Sequence, residues 1–95
     1  IEGACPNGVG VTLEEMDMVG KVKVLAIDLQ PGTIDFIKDG VIWASFTQGY
    51  YNMNGGGSLA AQTLLDYIVD GTVPAAFIDS GYNFWTAENV DQYGQ

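Results

Sequence analysis

The pattern of apolar and polar positions is most informative between Lys21 and Gln48, in KVKVLAIDLQPGTIDFIKDGVIWASFTQ. Val22 to Ile27, broken only by Lys23, is a near-continuous apolar run, the pattern of a strand buried on both faces of a parallel sheet. It ends on Asp28. Pro31-Gly32 turns the chain, and Ile34, Phe36 and Ile37 predict a short helix that stops at Lys38-Asp39-Gly40, where glycine suits the left-handed position after a helix. A second strand is expected over Val41 to Thr47, ending on Gln48. The unit is strand, helix, strand, and each strand carries a hydrogen-bonding side chain at its carboxyl end. That is the edge where open α/β sheets bind ligands.

On either side of this unit the periodicity is weaker. Ile1 to Asn7 is rich in turn formers and reads as loop; from Gly8 the positions Val9, Val11, Leu13, Met16 and Val19 predict a helix, weakened by Gly10 and Thr12 and ended by Gly20. After Gln48, GYYNMNGGGS reads as an irregular segment, with Asn54 to Ser58 a flexible insertion. Leu59, Ala60, Thr63, Leu64, Tyr67 and Ile68 recur at three and four and predict an amphipathic helix up to Asp70-Gly71. Pro74 precedes Ala75 to Ile78, expected as a short strand; Gly81 bends the chain, and Thr86 is an N-cap for a last helix through Tyr93. The alternation predicts an α/β fold with a mostly parallel sheet and flanking helices, and residues 1–95 make one small domain at most.

Composition narrows the function. With 47% hydrophobic residues the chain is globular, and at 95 residues it affords a thin core. Twelve acidic residues against three lysines, with no Arg or His, give a net charge of −9. This argues against nucleic acid, anionic lipid and an anionic ligand held by this part alone, although the same charge serves solubility. The single Cys5 has no internal disulfide partner and leaves the redox compartment open. No apolar run reaches the roughly 18 residues of a membrane span.

Enzymatic chemistry finds little support. There is no His, Cys5 has no base beside it, and Ser45, Ser58 and Ser80 stand in no nucleophile-elbow context. Glu14 and Glu15 are helix neighbours whose side chains point apart. The glycine triplet lacks the Lys and Ser/Thr of a phosphate loop, and metal-ligand spacing is absent. The chain reads as a non-enzyme with no cofactor.

Asp28 and Gln48 suit a different chemistry. A carboxylate accepts hydrogen bonds from two vicinal sugar hydroxyls, each such charge-assisted bond contributing roughly 1.5–3 kcal/mol, and a primary amide donates and accepts in one plane. The competing reading of Asp28 is a capping or Asx-turn residue ahead of the helix. Apolar sugar faces stack on aromatic rings, and the candidates are Tyr50, Tyr51, Trp43 and Trp85. Tyr50 and Tyr51 come directly after Gln48, where they either reach the ligand or cover the sheet edge. Trp43, near the start of its strand, and Trp85 read as packing residues.

The segment VKVLAIDLQPGTIDFIKDG…ASFTQ resembles the last third of periplasmic sugar-binding proteins of the ribose/galactose type, the solute receptors of ABC transporters. AAQTLLDYIVDGTVPAAFIDSGYNFWTAENVDQY resembles that family's closing helix, strand and tail. The resemblance spans nearly the whole chain. It implies that residues 1–95 are a single partial domain, a C-terminal lobe fragment of a periplasmic-binding-protein-like fold, with the first lobe, the hinge and the opening strands of the second lobe lying outside it; a chain that opens on Ile1 without Met, signal peptide or lipidation signal reads the same way.

By the same resemblance, Asp28 and Gln48, twenty positions apart, are ligand contacts. The family's third contact from this lobe falls at Glu2 or Gly3, where its motif is not intact; Asn7 is an alternative by residue type, with a capping or turn role competing. The implied partners are a neutral monosaccharide or polyol, bound with the other lobe, and a membrane permease. The implied location is periplasmic or extracytoplasmic, on a lipid anchor in a Gram-positive envelope. Two other readings stay open: the sugar-effector lobe of a lac-type repressor, and a fragment that self-associates through open sheet edges.

Overall fold

A computed structural model describes residues 5–48 and 56–93. In chain order the elements are α1 (Pro6–Glu15), β1 (Leu25–Ile27), α2 (Pro31–Lys38), β2 (Ala44–Gln48), α3 (Gly56–Asp70) and β3 (Tyr82–Trp85), closed by a short 3-10 turn at Val90–Gln92. The fold is α/β, and its sheet is mixed. β1 and β2 are parallel, in the register Leu25 to Ala44 and Ile27 to Phe46; β3 lies antiparallel on the far side of β2, with Ser45 opposite Trp85 and Gln48 opposite Tyr82.

Side chains alternate across this sheet, and its two faces differ sharply. Ala26, Ser45, Thr47 and Trp85 point to one face and are buried there with Leu13 of α1, Ile37 of α2, Val24, Ile42 and Val90. Leu25, Ile27, Phe46, Tyr82 and Phe84 point to the other, where Leu25, Tyr82 and Phe84 are exposed. Both α1 and α2 therefore cover the same face. The strand expected from Val22 to be buried on both sides is shorter and one-sided, because Lys21 and Val22 donate their amides to Met18 in a turn rather than to the sheet. Pairing starts at Val24, whose carbonyl accepts from Trp43 N–H at 3.0 Å.

α2 ends as its sequence predicts, with Gly40, at φ 75°, after its C-cap Asp39, but Pro31 and Gly32, read as a turn ahead of it, form its first turn, where proline's missing N–H costs nothing. Val41 and Ile42, expected in the second strand, instead donate to the Phe36 carbonyl and close the helix end, so β2 starts at Ala44. α1 begins two residues earlier than predicted, with Pro6 in its first turn, and ends at Glu15, where Asp17 takes φ 54° and Met18 N–H returns to Leu13 O. Gly10 has a packing role: a Cβ there would sit 2.5 Å from the Phe36 ring, so α1 lies against α2 closely enough to require a bare backbone. Asn7, expected to cap or turn, is inside the first turn of α1 and accepts from the buried Thr33 hydroxyl at 2.9 Å. This bond ties α1 to the start of α2.

The second half departs further from expectation. Gly56 to Ser58, read as loop, form the first turn of α3; Asn54 and Gly55 lie outside the described residues. Ala75 to Ile78 make no strand and are exposed; the third strand comes four residues later, after Gly81 at φ 70°. Leu64, Leu65, Ile68, Val69 and Phe77 are all more than half exposed. The molecule is accordingly elongated, 57 × 22 × 17 Å, with a radius of gyration of 16.9 Å against about 12–13 Å for a compact chain of this length. Its accessible surface, 6376 Å², exceeds by roughly 1,000 Å² what a compact 10.2-kDa chain would show. The tail keeps part of its predicted chemistry. Thr86 Oγ1 accepts from Glu88 N–H at 3.3 Å and Asn89 Oδ1 from Thr86 N–H at 2.7 Å, but in place of the expected helix the chain then makes a turn and one 3-10 turn.

This packing has two measurable consequences. Gly10→Ala would gain about 1 kcal/mol from helix propensity alone, yet the Phe36 ring occupies the methyl's place, and a net loss of about 1–3 kcal/mol is expected in urea unfolding. Lys38 Nζ reaches Asp91 Oδ1 at 2.6 Å and bridges α2 to the closing turn; that hydrogen bond, and then the attraction of Asp91, raise the lysine pKa above its ordinary 10.5. A raised lysine pKa contributes stability that is fully present below 10.5 and is lost as pH climbs through the higher folded value. Unfolding curves above pH 10.5 should therefore show an alkaline loss that Asp91→Asn removes, small because the pair is exposed to solvent.

Candidate functional site

The carboxyl ends of the parallel strands bring Asp28 and Gln48 together. Asp28 comes directly after the last residue of β1 and Gln48 is the last residue of β2, and Gln48 Nε2 lies 3.5 Å from Asp28 Oδ1. That distance is at the outer limit of a hydrogen bond, so the two polar groups are aligned while their bonding capacity remains largely available to a third party. Asp28 is half-buried and Gln48 exposed.

The backbone at Asp28 is unusual: its φ is +65°, in the left-handed region that non-glycine residues rarely occupy, although Asp is among the more tolerant. The turn is held from both sides, by Asp28 N–H to Phe46 O at 2.7 Å and by the Ser45 hydroxyl to Asp28 O at 2.7 Å. The N-cap of α2 is Gln30, two residues on, and it makes no side-chain cap bond. Capping is thus not what the Asp28 carboxylate does.

The other sequence candidates separate. Glu2, Gly3, Tyr50 and Tyr51 lie outside the described residues. Trp43 is on the surface, more than half exposed, with Lys23 Nζ 5.3 Å from its ring centre. Trp85 is buried on the helix-covered face, where its indole N–H donates to Thr47 Oγ1 at 2.9 Å and its ring meets the edge of Tyr93 at 5.4 Å. Cross-strand pairing places a different aromatic beside Gln48, namely Tyr82. Gln48, Phe46, Tyr82, Phe84, Ser80 and Gly81 line an open concavity of about 460 Å³. The signal was present in the alternation of Tyr82-Asn83-Phe84-Trp85, but only the pairing of β3 with β2 shows that Tyr82 adjoins Gln48. A wider concavity of about 600 Å³, lined by α3 residues such as Leu64 and Tyr67 together with Ala75 and Ile78, contains neither Asp28 nor Gln48 and has no charged group.

Among the described residues no group of three or more His, Cys, Asp or Glu could hold a metal ion. Among the same residues no helix is long and apolar enough to cross a membrane.

No family model matches the chain, and no curated protein matches it. Solved structures do. A carbohydrate-transporter solute-binding protein from Agrobacterium radiobacter in complex with D-arabinose is 28% identical over 97% of this chain and 32% of its own, with a TM-score of 0.75. An ABC-transporter solute-binding protein from Burkholderia graminis, also in complex with D-arabinose, is 32% identical over 95% of this chain and 31% of its own, again at 0.75. GanP, a glucose-galactose binding protein from Geobacillus stearothermophilus, shares the fold at 22% identity and a TM-score of 0.74 over 93% of this chain and 30% of its own.

The strained turn makes its own prediction. Asp28→Asn keeps a side chain that tolerates positive φ and should leave stability within about 0.5 kcal/mol of wild type in urea unfolding. Asp28→Val, β-branched at the same φ, should cost about 1–3 kcal/mol.

The chain spans about a third of the length of the structures it matches, and it has the fold of that part of the sugar-binding solute-binding proteins of ABC transporters, the type I periplasmic-binding-protein architecture.

Proposed function

We propose that this chain is one wall of the ligand cleft of an ABC-transporter sugar receptor, and that Asp28 and Gln48 are its share of the recognition. The observation that carries the reading is the meeting of a carboxylate and a primary amide, 3.5 Å apart, at the carboxyl edge of the parallel strands. Together they offer acceptors for a pair of vicinal hydroxyls and a donor for a third oxygen. Neither group attracts an anion, and a net charge of −9 favours a neutral ligand. Two of the similar solved structures hold D-arabinose.

The course of the chain supports a two-walled site. It leaves the sheet at Gln48, runs through α3 and the irregular 71–81 segment, and returns to pair Tyr82 with Gln48. Both crossings therefore flank the edge that bears Asp28 and Gln48. In a two-lobe receptor, sugar contacts from both walls favour the closed form, and the closed form delivers the sugar to the membrane permease outside the cytoplasm. A wall with two polar contacts binds very weakly by itself.

The test is calorimetric titration of the full-length receptor that carries this chain with D-arabinose, D-galactose, D-glucose and D-fucose. Binding of one of these sugars, weakened at least about tenfold (about 1.4 kcal/mol) by Asp28→Ala and likewise by Gln48→Ala, is the expected result. Affinity untouched by both substitutions would sink the site assignment.

A further inference from the structure

We infer that Ser45, which points to the opposite face of β2 from Gln48, is the positioning residue that aims the Asp28 carboxylate at the ligand. The inference rests on the reading of Asp28 as a sugar contact, and it concerns a residue whose sequence context offers only a serine without the surroundings of a nucleophile. Ser45 is fully buried on the helix-covered face of β2, opposite Trp85. Its hydroxyl donates to the main-chain carbonyl of Asp28 at 2.7 Å, seventeen positions away in sequence.

The need for this bond comes from the backbone. At φ +65° Asp28 sits in a conformation that side-chain-bearing residues seldom adopt, and even a tolerant residue such as Asp is held there by its surroundings. Asp28 N–H to Phe46 O extends the β1–β2 ladder by one rung and fixes the amide side of the residue. The Ser45 hydroxyl fixes the carbonyl side. With both peptide groups pinned, the direction of the Cα–Cβ bond is set, and from there the carboxylate reaches to 3.5 Å of Gln48 Nε2. Without the hydroxyl the next peptide is free to rotate, and the carboxylate is no longer held where the amide can share a ligand with it. Preorganisation of this kind acts on affinity through a residue that never touches the ligand.

The experiment is a double-mutant cycle in the full-length receptor, titrated with D-arabinose and D-galactose, combined with the Asp28 backbone angle from NMR couplings. Ser45→Ala should weaken sugar binding about tenfold (about 1.4 kcal/mol) and move Asp28 out of the positive-φ region. In an Asp28→Ala background the same substitution should change affinity less than about twofold, because coupled residues are not additive. Ser45→Cys, a weak donor of similar volume, should fall between wild type and Ser45→Ala, and it serves where the alanine variant folds poorly.

Unchanged affinity and unchanged φ in Ser45→Ala would overturn the inference. An equal loss with and without Asp28 would also overturn it, since Ser45 would then support only the scaffold. If Asp28→Ala leaves binding intact while Ser45→Ala still moves the Asp28 φ, the sugar-contact reading fails and the positioning role at the backbone stands.

Discussion

The rest of the molecule depends on the parallel pairing of β1 with β2, which continues one hydrogen bond past the end of β1, from Asp28 N–H to Phe46 O. Three residues of strand are a short ladder, and by themselves they would slip easily. Register is kept by what each side chain would lose on slipping. A slip of β1 by one residue would carry the fully buried Ala26 out of the core it shares with Ile37 and turn Leu25 and Ile27 toward that core in its place. That register sets Asp28 beside Gln48.

A second consequence concerns Thr47 and Trp85. Both are buried polar-bearing side chains on the helix-covered face, and they satisfy each other: the indole N–H finds an acceptor in the threonine hydroxyl. An indole N–H buried without a partner costs about 1–3 kcal/mol, so this pair fixes how β3 meets β2 more specifically than apolar contact could. Among the described residues every buried side-chain nitrogen and oxygen has a partner. The sheet holding the candidate site is therefore a settled structure, whereas the chain between Gln48 and Tyr82 leaves much of its apolar surface bare among the described residues.

How much of this was legible in the sequence depends on whether a signal is local. The helix at Pro31–Lys38, its glycine stop and the two carboxyl-end polar residues were readable, because Pro, Gly and a run of apolar residues act within a turn or two of themselves. The packing role of Gly10 was not, because the Phe36 ring that requires it lies on another element. Nor was the antiparallel β3. The apolar run at Ala75–Ile78 carries as strong a local strand signal as Tyr82–Trp85, and only pairing with β2 decides between them. The pair Asp28 and Gln48 was found from residue type, strand-end position and family resemblance, whereas the strain at Asp28 and the hydroxyl of Ser45 beneath it emerge only once two strands lie side by side.

The bare surfaces bear on the same site. A parallel strand pair with helices on one face alone leaves the other apolar, and Leu25, Ile27, Phe46 and Phe84 form such a face, continuous with Gln48 at its carboxyl edge. The excess of roughly 1,000 Å² over a compact chain is comparable with the roughly 800 Å² that each partner buries in a standard interface. On the proposed reading, the remaining two-thirds of the receptor covers this face and the exposed side of α3. That cover excludes water around the half-buried Asp28, and there a hydrogen bond between a sugar hydroxyl and a carboxylate gains strength from the lower local dielectric. Completing the fold and tightening the ligand are then one event: the surface that finishes the hydrophobic layers also makes two polar contacts worth having.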